Sequence, residues 1–452
     1  MNRNKIFILA AILMLLTGCE RSAVLPVSSN YVTGQDKASS PSQLPAVPQE
    51  TRFDADRLPE GISDNFMYYI KSTYGTEVYE KLIASFESGS TESELWHKLT
   101  GCSLLVLKDL YSGVLSTSDI ARSHRIWRKE SLNPNQVVLS FAGDISFADG
   151  YANMSAYHAR GGIDSCILSS VKARMSAADI MMINNEFCYS RRGNPLPGKT
   201  FTFRADPAMV QNLHTLSVDL VSLANNHVYD YGPDALLDTL DTLSAAGIPY
   251  AGAGRNIDEA KEPVYFISGG MKLSFICATQ IERSTLFTKE AGTDSPGVLR
   301  TDDPALYLDV VKKAKAASDF VVVFIHWGTE GTNYFEEDQR ALAHQLIDHG
   351  AGLIIGCHPH VLQGIEYYKS VPIVYSLGNF WFNSRTIPTG LVEATVTPYG
   401  LDKLQFIPCI QKNCTTDLIV SPDKKQSAIQ FMQQLSPSVN IDEEGIIQPL
   451  LN

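Results

Sequence analysis

The chain has 452 residues, 44% of them hydrophobic and 19% charged, with a formal net charge of -12. That length and apolar content suffice for a sizeable core, in one large domain with appendages or in two domains, and exclude a chain disordered throughout. The acidic balance and the lack of any Lys or Arg run exclude an electrostatic groove for nucleic acid.

Residues 1–19 carry Arg3 and Lys5, then the apolar run Ile6 to Leu16, then Leu16-Thr17-Gly18-Cys19. The apolar core is too short to span a bilayer, so the segment reads as a signal peptide. Leu-Thr-Gly-Cys resembles a bacterial lipobox. It predicts cleavage before Cys19, lipidation of that cysteine, and an otherwise soluble protein anchored to the cell membrane on its extracytoplasmic face. Residues 20–52 are rich in Ser, Pro, Gln and Ala without periodicity and read as a flexible tether. Between 53 and 131, Tyr68-Tyr69-Ile70, Val78-Tyr79, Leu82-Ile83 and Leu104-Leu105-Val106-Leu107 fall at helical spacing, which predicts a helical spacer or cap.

From residue 136 the pattern changes to short apolar runs, each ending in a side chain suited to metal or proton work. Val137 to Phe141 leads to Gly143-Asp144, Ile180 to Ile183 to Asn184-Asn185-Glu186, and Asp219 to Leu223 to Asn225-Asn226-His227. Phe320 to Ile325 leads to His326-Trp327-Gly328, Leu353 to Ile355 to Gly356-Cys357-His358-Pro359-His360, and Ile373 to Leu377 to Gly378-Asn379-Phe380. Continuous apolar runs predict strands covered on both faces, as in an α/β sheet. Ligands in such sheets gather beyond the strand ends, so one pocket can collect all six. His358 and His360, one residue apart at a strand end, make a metal clamp. Seven cysteines follow Cys19; Cys409 and Cys414 are close enough to close a small loop, while Cys188 and Cys357, without Cys-x-x-Cys spacing, read as buried thiols.

As a set, Gly143-Asp144, Asn184-x-Glu186, Asn225-Asn226-His227-x-x-Asp230-x-Gly232, His326-Trp327-Gly328-x-Glu330, Gly356-x-His358-Pro359-His360-x-x-Gln363 and Tyr375 to Phe380 resemble the CapA-type poly-γ-glutamate capsule proteins. The fold of that family is similar to the calcineurin-like metallophosphoesterases. The resemblance implies an αββα sandwich over 136–452, two sheets flanked by helices, behind the N-terminal helical segment. It also implies a divalent-metal site of one or two ions of Mn, Zn or Fe. Asp144 and His360 would bind one ion, Glu186 would bridge, and Asn226, His326 and His358 would complete the other. His227 would serve as proton donor, oriented by Asp230. Arg204 and Glu330 are assigned to substrate, Arg204 as the anion contact.

Departures from the metallophosphoesterase pattern bear on metal number. Ser146 stands where those enzymes place a second His, and the bridging group is Glu186 rather than Asp. Asp149 stands where CapA-type chains commonly carry Arg, and Asn185 where they carry Leu. The implied role is in synthesis or export of poly-γ-glutamate, with a hydrolase site acting on an envelope polymer or its precursor, beside other capsule-synthesis proteins. The alternatives are a polymer-binding or export component without turnover, and a phosphoesterase or amidase acting on another envelope polymer.

Overall fold

The structure, a computed structural model, describes residues 58–59, 61–88, 93–114, 125–281 and 286–450. The leader, Cys19 and the tether lie outside the described residues. The chain divides into two compact units after Glu87. In the first, helices Asp64–Tyr74 and Thr76–Glu87 are separated by Gly75 at φ 96, a conformation that ends the first helix at little steric cost. Ser63 starts that helix: its Oγ accepts the Phe66 N–H at 3.2 Å.

The second unit opens with helices Ser93–Thr100 and Leu104–Tyr111, the latter capped by Ser103. The segment expected to be helical through residue 131 instead ends in an edge strand, Ile126–Arg128, parallel to Val264–Ser268. Its three residues complete a ladder, and that pairing outweighs the helical character of what precedes it.

Seven strands position the chemistry: β1 (Val137–Ile145), β2 (Ile180–Asn185), β3 (Leu220–Ser222), β4 (Met271–Thr279), β5 (Phe320–His326), β6 (Leu353–Cys357) and β7 (Asn379–Trp381). In one sheet β1, β2 and β3 run parallel, and β1 pairs on its other side with the antiparallel strand Ile387–Thr397 and with β7. In the other, β4, β5 and β6 run parallel at the centre.

Alternation along each strand sorts the side chains into three apolar layers. Leu139, Phe141 and Met182 of the first sheet meet Phe275, Phe324 and Ile355 of the second. Met181, Ile183 and Val221 point the other way, onto helix residues Leu236, Leu240 and Leu243. Val321, Val323 and Ile354 do likewise against Val311, Leu342 and Leu346. The result is the expected αββα sandwich, two sheets face to face with helices outside. Each such side chain, fully buried, contributes roughly 1.5–3 kcal/mol before chain entropy is subtracted.

Two details depart from simple alternation. Phe141 pairs with Met182 but Asp144 pairs with Asn184, so three steps on β1 match two on β2. This β-bulge turns Asp144 to the same side as Asn184, where strict alternation would have turned it away. The bulge also brings Gly143 against β7's entry, where the Asp144 N–H donates to Gly378 O at 2.9 Å. Cys409 and Cys414 are both free. Across their hairpin Cys409 pairs with Leu418, beyond the turn that holds Cys414, so the two are not opposite one another.

A Cβ on Gly143 would stand 1.9 Å from Gly378 O, a backbone atom that cannot step aside. Gly143→Ala should therefore destabilise the protein by about 1–3 kcal/mol in urea unfolding. An unchanged midpoint would mean that the bulge is not held by this contact.

Candidate metal centre

The inward rows of both sheets end in polar side chains at one place. On β5 the row Val322, Phe324 continues to His326, and on β6 the row Leu353, Ile355 continues to Cys357. The parallel register sets His326 beside Cys357, and Asp144 beside Asn184. Glu186 follows β2 directly, Asn226 and His227 lie in the turn after β3, and His358 and His360 lie in the turn after β6. Both histidines of that turn have left-handed backbone, φ 100 and 59, which costs non-glycine residues of order 1–3 kcal/mol each.

Asn184 is the hub. Its Nδ2 donates to Asp144 Oδ1 at 2.8 Å and to Glu186 Oε2 at 3.1 Å, and its Oδ1 accepts from Asn225 Nδ2 at 3.0 Å. Two fully buried carboxylates are thereby held on one side chain. The other oxygen of each, Asp144 Oδ2 and Glu186 Oε1, has no hydrogen-bond partner among the described residues.

Around Glu186 Oε1 stand three imidazole nitrogens: His326 Nε2 at 3.8 Å, His227 Nε2 at 3.9 Å and His360 Nε2 at 3.9 Å. Asn226 Oδ1 lies 2.9 Å from His326 Nε2. His360 Nδ1 is fixed by Asn379 Oδ1 at 2.8 Å and sits 3.3 Å from Asp144 Oδ2. His358 Nδ1 is buried without a partner. The donor atoms of Glu186, His326 and His358 lie within 4.8 Å of one another, as do those of Asp144, Glu186 and His360. Glu330, which is exposed, forms a third such group with His358 and His360, and Asp144, His326 and Cys357 form a fourth.

The electrostatics bear on what these residues could hold. Burial, and then the Asp144 charge, hold the Glu186 carboxyl well above the ordinary carboxylate range. Burial and the neighbouring imidazoles hold His326 and His358 well below the usual histidine value, so both are neutral and have a lone pair to give. At His360 burial also acts downward, but the Asp144 carboxylate, with Glu330 and the Asn379 contact, acts upward and the net shift is upward. Buried carboxylate oxygens without a partner are costly, and a divalent cation bound among imidazole lone pairs relieves them. The donor set of carboxylates, amide oxygen and imidazoles, with no required thiolate, fits a hard or borderline cation.

Beside the cluster lies a buried His–Asp pair. His227 Nδ1 is 2.7 Å from Asp230 Oδ2. The Phe203 N–H donates to that same oxygen at 2.7 Å, and Lys199 Nζ donates to Asp230 Oδ1 at 2.6 Å. Burial shifts His227 downward despite Asp230. Lys199 also donates to the Asn226 carbonyl, tying the two loops. Arg204 is not part of the cluster. Its guanidinium lies over the Tyr231 ring at 4.0 Å and donates to the Arg192 and Gly193 carbonyls.

Sequence reasoning missed the work of Asn184 and Lys199. Asn184 stood inside the recognised Asn-x-Glu pattern, but only its glutamate was assigned. Lys199, in Pro197-Gly198-Lys199, carries no periodic signal; only the fold brings its loop to Asp230.

Residues 138–384 match the family described as Bacterial capsule synthesis protein PGA_cap. Among curated relatives, the PGA biosynthesis protein CapA of Bacillus subtilis is 30% identical over 64% of this chain and 76% of its own length. The Capsule biosynthesis protein CapA of Bacillus anthracis is 33% identical over 53% of this chain and 59% of its own length, less than two thirds of that relative. The family match spans more than half of the chain and contains every residue of the cluster, and this chain therefore belongs to the CapA-type family of poly-γ-glutamate capsule synthesis proteins.

Proposed function

We propose that the chain acts in poly-γ-glutamate capsule synthesis on the extracytoplasmic face of the membrane, as a lipid-anchored protein with a divalent-metal-dependent hydrolase centre. The observation that carries the reading is the unpartnered Glu186 Oε1 with three imidazole Nε2 atoms turned to it. Asp144, Glu186, Asn226, His326, His358 and His360 would hold one or two ions. Bound there, a divalent cation supplies Lewis-acid polarisation of a phosphoryl or acyl oxygen.

The chain's own residues do the rest. Asp230, held in place by the Phe203 N–H and Lys199, takes the Nδ1–H of His227 and leaves Nε2 as the atom that holds or moves a proton at the cluster. Asn184 keeps both carboxylates aimed at one point, and Asn379 does so for His360. An acidic polymer approaching a chain of net charge -12 needs such a cation to offset repulsion.

Elemental analysis of the purified protein should find about one or two equivalents of a transition metal, lost in a His358→Ala, His360→Ala double variant. The loaded parent, and not the variant, should cleave a phosphoester or γ-glutamyl substrate. Metal without turnover would leave a polymer-binding role; no metal after reconstitution with manganese or zinc would sink the hydrolase reading.

Glu186 and His360 both hold a proton more tightly than usual, and a cation must displace those protons. Apparent affinity should therefore rise with pH, by roughly tenfold or more from about pH 6 to about pH 8 in a chelator-competition titration. A flat profile would show that neither group faces the ion.

Growth with an alkyne-tagged fatty acid should label the wild-type protein and not Cys19→Ala. An unlabelled wild type would remove the anchor from the proposal.

A further inference from the structure

Cys357 ends the inward row of β6, fully buried, paired in register with His326. Its Sγ lies 3.2 Å from His326 Nδ1, and its thiol reaches Ile325 O at 3.7 Å. The other polar atom at that nitrogen is Asn184 Nδ2, 3.3 Å away, whose two N–H groups already serve Asp144 and Glu186. On the far side of the ring, Nε2 faces Asn226 Oδ1 at 2.9 Å.

A neutral imidazole carries its proton on one nitrogen only. With Nε2–H donated to Asn226, Nδ1 is an acceptor, and the thiol S–H supplies the donor. With the Nε2 lone pair given to a cation, the proton stands on Nδ1 and needs an acceptor. An amide nitrogen has no lone pair to offer; the sulfur does, while its S–H turns to Ile325 O.

Resting on the reading of the cluster as a cation centre, we propose that Cys357 is a positioning residue: the thiol serves either tautomer of His326 and so lets the ring present Nε2 to a cation without an unpaired buried proton. Partners of this kind on the far nitrogen of a ligating histidine fix its tautomer and raise its basicity. A serine in this place keeps the capacity to donate and accept; an alanine has neither.

The test uses the full chain and zinc, comparing wild type, Cys357→Ser and Cys357→Ala by chelator competition, with nitrogen-15 NMR of the histidine rings and His326→Gln for assignment. Zinc-loaded wild type should show His326 ligated through Nε2 with its proton on Nδ1. Cys357→Ala should bind about 10–100-fold more weakly, and Cys357→Ser should recover most of the loss. Equal affinity in the alanine variant, or ligation through Nδ1, overturns the proposal. So does an intense sulfur-to-cobalt charge-transfer band in the cobalt-loaded wild type, since Cys357 would then bind the ion itself. Failure of the wild type to bind zinc overturns the centre, not this residue alone. If the cation-free alanine variant does not melt cooperatively, the serine variant and the wild-type nitrogen assignment decide.

Discussion

Two carboxylates, Asp144 and Glu186, are buried together, and the rest of the architecture is arranged around that fact. Like charges this close in low dielectric cannot both stay ionised without compensation. Asn184 supplies part of it by donating to one oxygen of each group, and no other described side chain donates to the remaining pair. Of the imidazoles that close around those oxygens, His326 and His358 are held neutral and bring lone pairs, while His360 is drawn by Asp144 toward keeping a proton. Such a site is stable in proportion to the positive charge it is given.

Placing these groups requires local exceptions to regular geometry. The β-bulge after Phe141 turns Asp144 inward, and Gly143 lets the chain pass Gly378 without a side chain between them. His358 and His360 both adopt left-handed backbone on either side of Pro359, so that two imidazoles from one short turn reach different parts of the cluster. Strain of this kind persists only where the surroundings over-determine it, here the packed ends of β5 and β6 and the hydrogen bond that His360 Nδ1 donates to Asn379 Oδ1.

Much of this was legible in the sequence, for a physical reason. Strands covered on both faces must be apolar throughout, so Phe320 to Ile325 or Leu353 to Ile355 announce themselves, and polar groups at their ends stand out by contrast. His326, His358 and His360 were visible in that way. The bulge was not, because a one-residue slip between β1 and β2 is a property of a pair of strands rather than of either. Lys199 and Cys357 act through partners distant in sequence, Asp230 and His326, and neither residue type carries a pattern that reveals such a partner. For Arg204 the sequence suggested an anion contact, and the stacking on Tyr231 that the fold gives it was not legible, because that partner is distant in sequence.

The pairing of the two sheets matters to the cluster in one more respect. Asp144, Glu186 and Asn226 hang from one sheet, and His326, His358 and His360 from the other. Neither sheet alone holds more than half of the donors, and they meet only once Phe141 and Met182 have packed against Phe324 and Ile355. An ion seated there would act as a rivet through the seam of the sandwich. The chain would then report its own completed assembly through the same atoms that make it chemically competent.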